Sequence, residues 1–286
     1  MKSFQSIHLI VFTLCTTELP VFANNCLSVQ EAEKKGLVKL SFKGKGGHTG
    51  NVIEMKIKNL TNHLLDLNIE AGRILDSKKQ NEQDLLVTMP QTFAVSGNQE
   101  KSVSVFGMCC QAHNSSPQLN SEYGVGKMAD SALIKLACFI DKNKKYTSYA
   151  AQEAVWTISD NYSLASIYGS DKEEENLFKK FVSILTGRPI PAYNITYLRE
   201  NNTSVSGRAS TIEGVFKYTV PHDGKVTIAI YDSNGKLVQL FANNYFHEKG
   251  DCKLFYTFKT RELNPGTYYA KMMMDGQVKN EMPIEF

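Results

Sequence analysis

The feature that most constrains this chain is a two-residue alternation of apolar and polar side chains, repeated in short runs between turn residues. It is cleanest at 225–232, where Val226, Ile228 and Ile230 share one face. A run of that period gathers its apolar groups on one side only as a strand. Similar runs occupy 37–42, 51–58, 64–69, 85–88, 91–95 and 101–106, with a turn at 59–62 and a hairpin signal at Gly97-Asn98. In 51–58, Ile53, Met55 and Ile57 oppose Glu54, Lys56 and Lys58, and Val52 interrupts the alternation. Many short strands with turn punctuation predict a sandwich or barrel.

Three stretches change the period. Residues 129–141 carry Leu133, Leu136, Ala137 and Ile140 at helical spacing, with Asp130 or Ser131 as the cap. Residues 148–158 are alanine-rich, with Ala151, Val155 and Ile158 on one helical face. Residues 171–185 form an amphipathic helix with a stripe of Leu177, Phe178, Phe181, Ile184 and Leu185. Acidic residues crowd its first turn, and Gly187 and Pro189 end it. Strands followed by helices predict an α+β unit over 24–187. The two prolines and the polar run at 201–204 predict a linker over 188–205. From 206 to 286 strands resume, with turns at 221–224, 233–235 and 263–266. About seven short strands in roughly 80 residues fit an immunoglobulin-like sandwich. The fold class expected is therefore mainly β.

A length of 286 residues fits two such units, and 42% hydrophobic residues is enough for two cores. The first 23 residues read as a cleavable signal peptide: Lys2, then a short apolar run at 7–15, then Val21-Phe22-Ala23 before the cleavage point. The expectation is an exported protein, at the cell surface, extracellular or periplasmic, with no transmembrane span. A net charge of +3 with scattered lysines excludes nucleic acid as the expected partner. After cleavage Cys26, Cys109, Cys110, Cys138 and Cys252 remain. That number is odd, and an oxidising compartment favours pairing, so Cys109 or Cys110 bridging Cys138 is the expected disulfide. No Cys-x-x-Cys or matching histidine spacing points to zinc.

Two resemblances accompany this reading. Residues 221–238 (Pro-x-x-Gly-Lys-Val-Thr-Ile-x-Ile-Tyr-Asp-Ser-Asn-Gly-Lys-Leu-Val) and 263–269 (Leu-Asn-Pro-Gly-Thr-Tyr-Tyr) resemble immunoglobulin-like C-terminal domains. Such domains occur in flagellar hook-capping proteins and as sorting modules of bacterial type IX secretion. The resemblance implies contact with secretion machinery through 206–286. The chain departs from the sorting pattern at its end, where Lys279 is the nearest lysine and Pro283 interrupts the last strand. The second resemblance is shorter. Ala151-Gln152-Glu153-Ala154-Val155-Trp156 is similar to a motif of bacterial surface thioester domains. It implies that Gln152 joins a cysteine thiol, with Cys110 or Cys138 as the partner.

No other chemistry is evident. The glycine runs at 44–50 and 124–127 lack Walker spacing and read as loops. His48 and His113 read as solvated loop histidines, and Asp171, Glu173, Glu174 and Glu175 as helix-dipole partners. No nucleophile elbow or zinc-protease motif is present. The expectation is a non-enzymatic surface or periplasmic protein, with neither cofactor nor catalytic residue. It would bind a protein or surface polymer through its N-terminal unit, the sandwich serving as spacer or sorting module. The alternative is a covalent adhesin built on a Cys–Gln thioester.

Overall fold

The computed structural model describes residues 26–169, 171–200 and 204–286. The leader expected at 1–23 and part of the polar run at 201–204 lie outside the described residues. The chain is mainly β, in two strand-built units with a helical layer on the first.

The first unit opens with β1 (Leu27–Ser28) and a short helix, α1 (Val29–Lys34), capped by the Ser28 hydroxyl. Six strands then close a barrel: β2 (Val38–Lys45), β3 (Thr49–Asn59), β5 (Arg73–Ser77), β6 (Leu85–Val87), β8 (Glu100–Cys109) and β9 (Leu119–Met128). Their order around the barrel is β2-β3-β8-β6-β5-β9. A small sheet of β1, β4 (Leu65–Ile69) and β7 (Gln91–Val95) packs onto the same core. The barrel interior holds Ile53, Met55, Ile57, Val105 and Phe42. Val52, the residue that breaks the alternation, lies where β3 slips register against β8, between Asn51 and Ile53. A bulge of this kind buries two consecutive side chains, as Val52 and Ile53 are.

The run at 124–127 is not a loop, as its glycines suggested, but part of β9. There Gly126 allows close approach: a side chain on it would meet the Asp76 carboxylate at 2.6 Å. Its carbonyl accepts from the Gln30 amide at 2.7 Å and from buried Arg73 at 3.0 Å.

Three helices cover one side of the barrel: α2 (Ser131–Lys142), α3 (Tyr149–Ser159) and α4 (Lys172–Thr186). Asp130 caps α2 by accepting from Ala132 and Leu133, and Leu133, Leu136, Ala137 and Ile140 are its buried face. Gly187 ends α4 with φ at 71°. The buried face of α4 keeps Phe178 of the predicted stripe, with Leu177, Phe181 and Leu185 half-buried, and adds residues from outside it. Ile184 is 85% exposed, while Glu175, Phe178, Lys179 and Val182 are buried. The charged pair can go inside because Lys179 reaches Glu175 at 2.7 Å and Asn194 at 2.5 Å. No helix among the described residues is long and apolar enough to cross a membrane.

The second unit is a seven-stranded, two-sheet sandwich. One sheet is β10 (Tyr193–Glu200), β11 (Ser204–Val220) and β14 (Gly250–Lys259). The other is β13 (Leu237–His247), β12 (Gly224–Asp232), β15 (Thr267–Met274) and β16 (Gln277–Glu285), in that order. Between the sheets pack Ile212, Phe216, Val226, Ile228, Ile230, Phe258 and Met272. The linker expected at 188–205 is largely strand: β10 pairs with β11 from Tyr193 onward. Pro283 is accommodated because β16 is an edge strand, where no further neighbour needs its missing donor.

Candidate functional site

Helix α3 carries the residues with a claim to chemistry. Gln152, Trp156 and Asp160 follow one another at four-residue spacing, which stacks them on one side of the helix. Gln152 and Asp160 bond directly to the chain where β8 ends and its following loop begins, and Trp156 reaches that loop through Gln83. The Gln152 carboxamide grips the main chain of Cys109 at both ends. Its Oε1 accepts from the Cys109 N–H at 2.9 Å, and its Nε2 donates to the Cys109 carbonyl at 2.8 Å. Trp156 donates its indole N–H to Gln83 Oε1 at 3.1 Å, and Gln83 in turn donates to the Asn114 carbonyl at 3.0 Å. Asp160 Oδ2 accepts from the Ala112 N–H at 3.2 Å, and its Oδ1 lies 3.4 Å from His113 Nδ1. The helix thus adds partners to a segment whose Cys109 N–H also donates to the His48 carbonyl at 3.2 Å and whose Cys110 N–H donates to the Asp84 carbonyl at 2.8 Å.

The next residue, Glu153, is on a different face and in a different situation. It is 4% exposed, and burial pushes its carboxyl up to about 8. Arg199, from β10, approaches to 3.7 Å, beyond hydrogen-bonding distance and partly in solvent, so it does not restore the charge. Arg199 also lies over the Tyr149 ring, 5.4 Å from its centre. Tyr162 and Tyr197 pack together at 4.8 Å, and burial pushes both phenols up. His48 meets the Trp156 ring edge-on at 6.0 Å, and its Nδ1 has no partner. Burial first, then Arg199, holds its imidazole below the usual range, so it is neutral at pH 7.

The cysteines do not sit where the sequence placed them. Gln152 meets Cys109, and neither Cys110 nor Cys138 bonds to it. Cys110 belongs to the core under the helices, whereas Cys109 belongs to the barrel core, because consecutive residues of an extended chain alternate sides. Cys138 is on the exposed side of α2. The expected disulfide from Cys109 or Cys110 to Cys138 is not formed; the five described cysteines are free. Burial pushes the thiols of Cys109 and Cys110 far up, which disfavours the thiolate that nucleophilic attack requires. His48 is not a solvated loop histidine, since it packs on Trp156, whereas His113 is exposed as expected and lies beside Asp160. Among the described residues no group of three or more His, Cys, Asp or Glu could hold a metal.

Glu153 and Arg199 went unread in the sequence. One signal was available: Ala150, Ala151 and Ala154 flank Glu153 on every side of the helix, which marks a helix packed all round.

Two outcomes are expected. Replacing Gln152 with Ala removes the donor to the buried Cys109 carbonyl, while the Cys109 N–H keeps the His48 carbonyl at 3.2 Å, and costs about 1–3 kcal/mol in urea unfolding. Gln152→Glu places a carboxylate oxygen against the Cys109 carbonyl and is less stable at pH 8 than at pH 5. A cost within about 0.5 kcal/mol for Gln152→Ala would mean that the clasp is incidental. Glu153 is raised in the folded state above its ordinary value of 4.5. The folded chain therefore holds a proton that the unfolded chain loses, and stability falls as pH rises between about 4.5 and 8. Over that window the native chain loses up to about 5 kcal/mol relative to Glu153→Gln, read from paired melts at each pH. Parallel profiles for the two proteins would contradict this.

No family model matches the chain, and no curated protein matches it. Among solved structures, a red sea bream transglutaminase aligns with 90% of this chain and 33% of its own length, at 8% identity and a TM-score of 0.20. The chain spans about a third of that protein, and at that score the likeness carries no argument about fold or activity.

Proposed function

We propose that this is an exported, non-enzymatic binding protein of a bacterial surface or periplasm. The barrel and its helices are the binding unit, and the sandwich is a spacer or sorting module. The observation that carries this reading is the state of Gln152. The one residue the sequence marked for covalent chemistry is buried, with both ends of its amide engaged in holding the main chain. The leader-like start of the chain supports export.

A second reading rests on a specific contact. Gln152 bonds to the Cys109 main chain, which brings its carboxamide next to the residue that carries the thiol for thioester formation. In that step the Cys109 sulfur bonds to Gln152 Cδ, the C–N bond breaks, and the thiol proton leaves with the amide as ammonia. The buried, protonated thiol weighs against it.

Cell fractionation with surface proteolysis tests the first reading, and denatured intact mass separates it from the second. The expected result is a chain lacking 1–23, found at the surface or in the periplasm, with the mass of the unmodified sequence. A shortened C-terminus on the surface form assigns sorting to 206–286. Recovery from the cytoplasm with residues 1–23 attached overturns export. A mass lower by one ammonia, restored by Cys109→Ala to the value for that variant, replaces the first reading with the second.

A further inference from the structure

Helices α2 and α4 turn Leu133, Leu136, Ile140, Phe178 and Val182 inward, onto the core they share with α3. Between their other faces runs a groove of about 610 Å³. Phe139 of α2 and Phe181 of α4 stack at 3.8 Å, and their half-buried rings give the groove an apolar floor. Phe139 also meets the buried Phe178 ring edge-on at 5.7 Å, which fixes the floor to the core. Ile134 extends the α2 wall, and Leu185 and Ile184 extend the α4 wall. Ile184 is 85% exposed. The polar side of the groove carries one sign of charge. Lys135, Cys138 and Lys142 follow at three- and four-residue spacing, which makes them a single stripe of α2. Both lysines are exposed, and no carboxylate lines the groove beside them. Asp141, next to Lys142 in the chain, is taken up by the Tyr146 hydroxyl at 2.5 Å and by Lys144 at 3.4 Å.

Two cations beside an apolar trough attract an anion that carries a hydrocarbon. Size selects among ligands of that kind. Eight residues line the groove, whereas a stable protein interface takes about 20–30 on each side. The volume falls within the range of about 300–1,000 Å³ that small molecules occupy. A second copy of the chain, seated through the same groove, would set lysines against lysines. We propose that the groove between α2 and α4 binds a free fatty acid, its alkyl chain along Phe139, Phe181 and Ile184 and its carboxylate on Lys135 or Lys142. The inference rests on the binding-protein reading and names a ligand class for it.

Calorimetric titration of the full chain with dodecanoate, below its micelle-forming concentration, tests it. Dodecanoate should bind with Kd of about 0.1 mM or tighter. It should bind at least tenfold tighter than hexanoate, which has half the chain, and than dodecyltrimethylammonium, which has the chain and the opposite charge. Bound dodecanoate should slow maleimide labelling of Cys138 and leave that of Cys252 unchanged. Ile184→Glu should weaken binding at least tenfold with an unchanged melting temperature, because the side chain is outside the core. Replacing Lys135 and Lys142 together with Met should reduce the preference for the anion below twofold. No binding of dodecanoate, equal binding of the cation, unchanged labelling of Cys138 or undiminished binding by Ile184→Glu overturns the proposal. If dodecanoate does not bind, sedimentation with phosphatidylglycerol vesicles assigns the face to a membrane, and a dimer dissolved by Ile184→Glu assigns it to a second copy. A chain located at the surface that does not bind dodecanoate removes this inference alone. A cytoplasmic chain removes the export reading whatever it binds.

Discussion

The grip of the Gln152 carboxamide on the Cys109 main chain is the contact around which the first unit is arranged. β8 ends at Cys109, and the loop that follows is held by main-chain bonds to residues 81–84 at Cys110 and Ser115 but not at Ala112. Buried main-chain groups must nevertheless find partners. Gln152, Trp156 and Asp160 supply or relay them from one helix face, which fixes both the position and the rotation of α3. Once α3 is fixed there, α2 and α4 have a surface to pack against, as does the 3-10 turn at Leu164–Ser166. The alanines of α3 follow from this arrangement, because a helix enclosed on all sides leaves little room for larger groups.

The same helix joins the two units. The β10–β11 hairpin reaches back so that Val205 donates to the Ala112 carbonyl at 2.7 Å, in the loop that Asp160 also holds. Val205 and Tyr197 pack with the barrel core. Glu153 lies where this hairpin meets the helix. Ionised, it would be a buried charge with an inadequate partner in Arg199. Its raised proton affinity is the form in which that position is tolerable at neutral pH, and it ties the stability of the chain to acidity.

Much of the fold was legible because it depends on local pattern. The alternation of Val226, Ile228 and Ile230 gave a strand at its observed place, and the Leu133–Ile140 spacing gave α2. Asp130 and Gly187 capped the helices they were expected to cap. What failed depends on tertiary partners. β10 was hidden by Pro189, Pro191 and the polar run after it, and is a strand because β11 lies beside it. The stripe of α4 held at Phe178 and failed at Ile184, which is exposed while Lys179 and Glu175 are buried. At the site, the motif around Gln152 marked a residue that bonds to the main chain of Cys109, whereas the cysteines named with it were Cys110 and Cys138. Choosing between Cys109 and its neighbour needs the register of β8, which no spacing in the sequence reports.

The account makes Gln152 a structural residue, so the amide it holds is the place to test it. Native-state hydrogen exchange followed by NMR at the Cys109 N–H measures how often that contact opens. If the clasp anchors the unit, this amide exchanges only through global unfolding, as slowly as the amides in the middle of β3 and β8. Exchange as fast as that of the loop following Cys110 would contradict the account, because the helix would then release the chain without the fold coming apart.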